Sequence, residues 1–105
     1  MLGRHPHCAY NKRVRITYDP AKNQRNIEER DLPFDQAANF DFESAVFETD
    51  ERFDYSETRY VALGFLHGRL HVLCFAEAPD CIRVISFRKA NSREVSRYAK
   101  VQAAD

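Results

Sequence analysis

Apolar and polar residues alternate along the second half of the chain, and this alternation predicts β-strands over residues 58–66, 69–75 and 82–88. The first two strands are joined by His67-Gly68, a two-residue turn typical of a β-hairpin. The second turn is expected over residues 77–80, which contain Pro79. The pattern therefore predicts a meander of three consecutive antiparallel strands.

The last of these strands leads into a predicted helix. Val84 and Ile85 are adjacent and both apolar, which favours a strand that is buried on both faces. Asn91 followed three residues later by Glu94 has the spacing of a capping box, and it predicts a helix over residues 92–101. The helical stripe expected to dock on the sheet is formed by Val95, Tyr98 and Ala99.

The first half of the chain predicts a short strand, two helices and a further strand. Residues 14–18 alternate as an amphipathic strand, and Asp19-Pro20 then supplies an N-cap and a favoured first helical residue. This helix is expected to run to about residue 30, followed by a shorter helix over 34–42 and a strand over 44–49. The resulting order, β-α-α-β-β-β-β-α, predicts an α+β domain whose two N-terminal helices and one C-terminal helix pack on one face of an antiparallel sheet.

Length and composition indicate one domain. The chain has 105 residues, 44% of them apolar, and residues 1–12 lack hydrophobic periodicity. We therefore expect a disordered extension over 1–12 and a single domain over 13–105. No apolar run is long enough to span a membrane or to act as a signal peptide.

The cysteines bear on the compartment and on metal binding. The three cysteines are odd in number and lack metal-ligand spacing; they are Cys8, Cys74 and Cys81. We interpret them as reduced thiols of a cytoplasmic protein, with a bridge between Cys74 and Cys81 as the less favoured alternative. No metal or cofactor is expected.

Charge is distributed unevenly, although the net charge is zero. Residues 28–57 contain eleven acidic and two basic residues, whereas residues 82–101 contain six basic residues and one acidic residue. Two interpretations are open. Either the two segments neutralise each other in the folded protein, or the basic segment meets a polyanion.

Several short stretches form a recognisable set: residues 18–22 (YDPAK), Asn26-Ile27, Phe34, Ala37, residues 57–64 (ETRYVALG), Gly68-Arg69 and, most specifically, residues 82–90 (IRVISFRKA) followed by Glu94 and Tyr98. In this set the chain resembles the BrnT family, the toxin half of a bacterial type II toxin–antitoxin pair. The resemblance covers about residues 14–100.

The resemblance implies a RelE-like α+β endoribonuclease that cleaves RNA, inhibits translation and arrests growth. It also implies a BrnA-like ribbon-helix-helix antitoxin as partner, with operator DNA bound only through that antitoxin. The chain differs from the family at two places. Family members usually have Lys-His-Gly where this chain has Glu29-Arg30-Asp31, and often Thr-x-Arg where it has Ala76-Glu77-Ala78.

Metal-independent RNA cleavage by the 2′-hydroxyl needs a base, cations on the phosphate and an acid for the leaving oxygen. Arginine suits the cation role because its planar guanidinium group binds two phosphate oxygens and stays charged. The candidate catalytic residues are Glu57, Arg59, Arg83 and Arg88, and the candidate RNA-binding residues are Lys89, Arg93 and Arg97. Glu94 is an alternative base, and His71 or Tyr98 is a candidate proton donor or orienting group.

One geometric point opposes this grouping. Arg83 and Arg88 are five residues apart, so an ideal strand points them to opposite faces. They share a site only if the strand is bulged or if Arg88 lies beyond its end. Each candidate also has a structural interpretation, such as a strand arginine paired with an acid or a solvated helix face.

Three functional hypotheses remain. The first is a toxin ribonuclease whose basic segment binds RNA phosphates. The second is a non-catalytic domain that docks an antitoxin-like protein and acts only in the complex, which the two differences from the family slightly favour. The third is a plain α+β domain whose acidic and basic segments pair with each other.

Overall fold

The computed structural model describes residues 15–50 and 57–103, which form one five-stranded sheet with helices. The predicted extension over residues 1–12 and most of the predicted loop after residue 49 lie outside the described residues. The elements are β1 (Ile16–Tyr18), α1 (Pro20–Arg30), a 3₁₀ helix (Phe34–Asn39), β2 (Val46–Thr49), β3 (Arg59–Leu66), β4 (Arg69–Ala78), β5 (Cys81–Lys89) and α2 (Ser92–Ala103).

The strand order is β1-β5-β4-β3-β2. Strands β2 to β5 pair antiparallel in sequence order, which confirms the predicted meander and the α+β class. The strand β1 pairs parallel with β5, so β5 lies inside the sheet along its first half. Within the described residues, no helix is long and apolar enough to cross a membrane.

Three predicted boundaries were wrong. The strand β4 continues to Ala78 rather than ending at Phe75, because its last residues keep pairing with β5. The following turn therefore shrinks to Pro79-Asp80. The second helix is a short 3₁₀ helix that ends before Phe40, whose side chain enters the core instead of continuing the helix.

The two faces of the sheet carry different apolar clusters. The larger cluster lies under α1 and the 3₁₀ helix and is rich in phenylalanine, with Phe34, Phe75 and Phe87 almost fully buried. The smaller cluster contains Leu63 and Val72, which are adjacent in sequence to Ala62 and Leu73 of the larger cluster. Because successive residues of a strand point to opposite faces, the smaller cluster lies on the other face of the sheet. Tyr98 of α2 packs on it. The expectation that all helices share one face was therefore wrong.

The start of α1 matches its prediction, and its buried side is formed by an amide. Asp19 accepts a hydrogen bond from the Ala21 amide at 2.9 Å, and Pro20 is the first helical residue. The one buried residue of the helix is polar: Asn26, which donates to the carbonyls of Leu32 (2.8 Å) and Phe87 (2.9 Å). An amide thus holds α1 against the free edge of β5.

The cap of α2 is confirmed, and of the three residues predicted to dock on the sheet only Tyr98 does so. The Glu94 amide donates to Asn91 and the Asn91 amide donates to Glu94, as in a capping box. Val95 is 45% exposed, and Ala99 is exposed as well. The side facing the sheet is instead formed by Glu94, Tyr98, Val101 and Gln102. Polar contacts cause this orientation, because Tyr98 donates to the Ser44 carbonyl at 2.9 Å.

Candidate functional site

A bulge in β5 decides which side chains share a face. Ser86 pairs with Cys74, and Val84 pairs with Phe75, so Ile85 has no partner on β4. The extra residue shifts the alternation of side chains by one position. Arg83 lies opposite Ala76, and Arg88 lies opposite Val72; these two β4 positions point to the same face. Arg83, Ser86 and Arg88 therefore share the face that carries the smaller apolar cluster, and the geometric objection to the pair is removed.

Three of the candidate catalytic residues meet at one end of this face. Arg59 of β3 and Arg83 of β5 both lie opposite Ala76, on either side of it, two strand spacings or about 10 Å apart. Glu57, just before β3, forms an ion pair with Arg83 in which both side chains are about one-third exposed (35% and 37%). The carboxylate and the two guanidinium groups thus form one charged row.

The fourth candidate, Arg88, lies farther along the same face. Its partner on β4, Val72, lies four positions before Ala76, the partner of Arg83, a distance of about 13 Å along the strand. Its guanidinium group donates two parallel hydrogen bonds to Glu94, at 2.9 and 2.8 Å. This contact, with the Asn91 amide, holds the pKa of Glu94 at about 2. So low a pKa makes Glu94 a poor proton acceptor near neutral pH, and Glu57 is the better placed candidate base.

A groove of about 550 Å³ lies between α2 and this face of the sheet. Its floor includes Val61, Cys74 and Ser86, and its far wall includes the Arg88–Glu94 pair. Cys74 and Cys81 are half-buried, and neither is in a disulfide bond. The groove therefore offers polar, charged and apolar groups within one concave surface.

The three candidate RNA-binding residues are not brought together. Arg97 lines the groove and contacts Glu48 at 3.3 Å. Arg93 is exposed on α2. Lys89 lies opposite His71, and this pair is on the other face of the sheet, where the His71 ring contacts Phe87. Lys89 is therefore separated from the Arg83 row by the sheet itself.

The ion pairs bear on the two interpretations of the charge distribution. Arg83–Glu57 and Arg97–Glu48 each join the basic segment (residues 82–101) to the acidic segment (residues 28–57). The two segments thus do contact each other, as the first interpretation predicts. Both pairs are partly exposed, so a polyanion can still reach their arginines.

Two further candidates have structural contacts. Tyr98 donates its hydroxyl to the Ser44 carbonyl and packs edge-on against Phe65, with ring centroids 5.4 Å apart. His71 is 4% exposed and lies on the core face, away from the Arg83 row. Sequence reasoning missed Ser86 and Asn26. The sequence held a signal for the face of Ser86. The apolar core positions along β5 change from even numbers (Ile82 and Val84) to an odd number (Phe87), which indicates a bulge that turns Ser86 to the other face.

The fold and the site define a small α+β protein that presents arginine–glutamate pairs on one face of its sheet. A family model described as the ribonuclease toxin BrnT of a type II toxin–antitoxin system matches residues 18–94. The chain therefore belongs to the BrnT family of ribonuclease toxins. No curated protein matches it. The matched range includes all four candidate catalytic residues, with Lys89 and Arg93, but not Arg97.

The two differences from the family lie at identifiable places in the fold. Asp31 ends α1 in the left-handed conformation (φ 54°, ψ 40°), which glycine adopts at no steric cost. Ala76 lies between Arg59 and Arg83, and Ala78, two residues on, points to the same face. The second difference therefore removes polar side chains from the charged row itself.

Proposed function

We propose that this chain is an active endoribonuclease toxin that cleaves RNA without a metal and so inhibits translation and growth in the cytoplasm. The observation that carries the proposal is the bulge at Ile85, because it brings Arg83 and Arg88 to the face that holds Arg59. Phosphoryl transfer needs preorganised positive charge around the phosphate, and guanidinium groups on β3 and β5, one on each side of β4, meet that need.

In this proposal each residue of the row has a distinct role. Glu57 takes the proton of the ribose 2′-hydroxyl, whose oxygen forms a bond to phosphorus while the bond to the 5′ oxygen breaks. The products are a 2′,3′-cyclic phosphate and a 5′-hydroxyl, whose oxygen takes its proton from water. Arg83, held by Glu57, and Arg59 stabilise the charge that develops on the phosphoryl oxygens. Arg88 binds a neighbouring phosphate, and Lys89, Arg93 and Arg97 contribute RNA contacts that carry no sequence information.

The partner in this proposal is a BrnA-like ribbon-helix-helix antitoxin, through which the toxin reaches operator DNA. An antitoxin silences the enzyme by covering Arg83 and Arg88. The alternative function is a non-catalytic domain that docks an antitoxin-like protein and acts only in the complex. Ala76 favours this alternative, because an apolar side chain lies where the row of charged groups passes between Arg59 and Arg83.

Cleavage of a labelled single-stranded RNA in EDTA tests the proposal. Wild type is expected to cleave, and Arg83→Ala is expected to lose about 100-fold or more in rate, as when one transition-state donor is removed. Arg25→Ala is the matched control, because Arg25 is an exposed arginine of α1 on the other face of the sheet. Circular dichroism on all three proteins checks folding. A folded wild type that leaves RNA intact at low salt would establish the partner-binding alternative.

A further inference from the structure

A second pocket, of about 390 Å³, lies where the C-terminal end of α1 meets the end of β5. It is lined by Arg30, Asp31, Leu32, His71, Arg88 and Lys89. Arg88 lines this pocket and the groove described above, so the two are adjacent around the edge of β5. None of the roles proposed so far involves Arg30 or His71.

The guanidinium group of the exposed residue Arg30 is oriented by a buried amide. Its Nη1 donates to Asn26 Oδ1 at 2.6 Å, and the Asn26 amide nitrogen donates to two backbone carbonyls, one of them that of Phe87. Asn26 is 3% exposed, so the acceptor of Arg30 is fixed in position. A guanidinium group preorganised in this way binds an anion with little further loss of side-chain entropy.

The charges around the pocket favour an anion. Lys89 is exposed at its rim, and Arg30 lies on the opposite wall. Asp31 is the one carboxylate that lines it, and Glu94 neutralises Arg88. With Glu94 counted, the pocket has a net charge of +1. Two of its side chains, those of Arg30 and Lys89, can donate hydrogen bonds to a phosphate.

His71 adds a hydrogen-bond acceptor to this positive surface. Its Nδ1 lies 2.7 Å from the Arg69 carbonyl, and since a carbonyl only accepts, Nδ1 carries the proton and Nε2 is the acceptor of the neutral ring. Burial lowers the pKa of His71 by more than the hydrogen bond to the Arg69 carbonyl raises it, and the positive charges of Lys89 and Arg69 lower it further. The imidazole is therefore neutral near pH 7, and Nε2 accepts rather than donates.

We propose that this pocket is a ribonucleotide subsite, in which Arg30 and Lys89 bind a backbone phosphate and His71 Nε2 accepts a hydrogen bond from the ribose 2′-hydroxyl. The pairing of phosphate donors with a neutral acceptor fits RNA and not DNA, because DNA has no hydroxyl to donate. The subsite rests on the proposed function in so far as RNA is the substrate. It adds a contact to a second ribose 2′-hydroxyl, besides the one that Glu57 deprotonates in the charged row, and so strengthens the selection of RNA over DNA.

Binding of fluorescent single-stranded RNA and DNA of one sequence tests the subsite, using Arg83→Ala so that the RNA is not cleaved. RNA is expected to bind about two- to tenfold more tightly than DNA, the worth of one hydrogen bond. His71→Asn keeps a donor for the Arg69 carbonyl but has no group at the position of Nε2, and it is expected to lose most of the preference for RNA. His71→Gln, whose amide reaches the Nε2 position, is expected to keep part of the preference.

Equal binding of RNA and DNA by Arg83→Ala, or a preference that is undiminished in His71→Asn, would overturn the proposal. A second measurement does not depend on how well the histidine variants fold. In a protein labelled with ¹⁵N at histidine, the Nε2 resonance of His71 is expected to shift on addition of RNA and not of DNA. An unchanged resonance with saturating RNA would also overturn it.

The phosphate contacts are tested through the salt dependence of binding. Lys89→Gln and Arg30→Gln are each expected to reduce the slope of log affinity against log salt by about 0.7, with either polymer. Arg15→Gln removes the same charge from an exposed ion pair with Asp80, near the other end of β5, and is expected to leave the slope unchanged. Unchanged slopes in both pocket variants would contradict the subsite. RNA cleavage by wild type is scored separately, so loss of the proposed function and loss of the subsite are distinguishable.

Discussion

Arg88 and Glu94 are joined by two parallel hydrogen bonds that fasten the first turn of α2 to the last residues of β5. Both side chains are partly shielded, with exposures of 37% for Arg88 and 21% for Glu94. Glu94 also caps the helix, so one carboxylate fixes the start of α2 and the direction of the Arg88 guanidinium group. The stability of α2 and the shape of the groove therefore depend on a single charge.

The charge of Glu94 makes stability depend on pH in a defined direction. Its pKa is lowered from 4.5 to about 2 in the folded protein, chiefly by the hydrogen bonds from Arg88. A lowered folded pKa means that the stabilisation is complete above about pH 4.5 and is lost as the pH falls towards 2. Glu94→Gln keeps a capping side chain and removes the charge, and it is expected to lower the free energy of unfolding at pH 7 by about 1–3 kcal/mol.

Urea unfolding of wild type and Glu94→Gln at several pH values measures this effect. The difference between the two proteins is expected to be full at pH 7 and to shrink as the pH is lowered through the range in which Glu94 takes up its proton. A difference that stays constant down to the folded pKa would show that the effect of the substitution is not ionic.

The backbone of β3 is packed closely against a phenylalanine at Gly64. A methyl group placed there would lie 2.6 Å from Phe40 Cζ and 3.0 Å from the Ala45 methyl group. Gly64→Ala is therefore expected to destabilise the protein by about 1–3 kcal/mol, measured by thermal or urea unfolding. The added variant Phe40→Leu makes room, so the double variant is expected to lose less than the sum of the single losses. Strictly additive losses would contradict this contact.

Asp31 is expected to limit the stability of α1. Its φ of 54° lies in the left-handed region, where a side chain is strained and glycine is not. Asp31→Gly is expected to raise the free energy of unfolding by about 0.5–1 kcal/mol. Asp31→Asn, which tolerates the same backbone conformation but removes the charge, separates the two causes. A glycine variant that is less stable than wild type would show that the carboxylate has an unrecognised stabilising contact.

The strands of the meander and the starts of both helices were predictable because each depends on local chemistry. Alternating side chains define a strand, and Asp19 and Asn91 cap the helices through groups a few residues away. The parallel pairing of β1 with β5 was not predictable, because alternating side chains indicate that a segment is a strand but not which strand it pairs with. The docking side of α2 was mispredicted because it depends on partners outside the helix. Arg88, just before the helix, and the Ser44 carbonyl, distant in sequence, hold Glu94 and Tyr98 against the sheet.

The candidate site was predictable in composition but not in arrangement. The arginines of β5 were evident from charge, whereas their common face depends on the unpaired Ile85. Asn26 was missed because a polar residue on a polar helix suggests a solvent-facing position, and its burial is explained only by the two carbonyls it binds. Lys89 was grouped with Arg93 and Arg97 as an RNA-binding candidate, although its strand position opposite His71 places it on the other face of the sheet.

The two alanines near the charged row provide a gain-of-function prediction. Ala76 lies between Arg59 and Arg83, and Ala78 continues the same face, where family members often have threonine and arginine. The double variant Ala76→Thr/Ala78→Arg adds a hydroxyl and a cation beside the proposed phosphate position, and it is expected to raise the rate of RNA cleavage in EDTA by about tenfold or more. Initial rates on labelled RNA, with circular dichroism as a check of folding, measure the gain.

The gain is expected to require the existing arginines, because the added groups act on the same phosphate. Introducing Arg83→Ala into the double variant should therefore remove the added activity, whereas Arg25→Ala should leave it. If the double variant is folded and its rate equals that of wild type, side chains at the two alanine positions do not contribute to catalysis. The charged row then reaches its full cleavage rate without them. If the gain persists without Arg83, the phosphate lies elsewhere than between Arg59 and Arg83, and the proposed positions of base and cations are wrong.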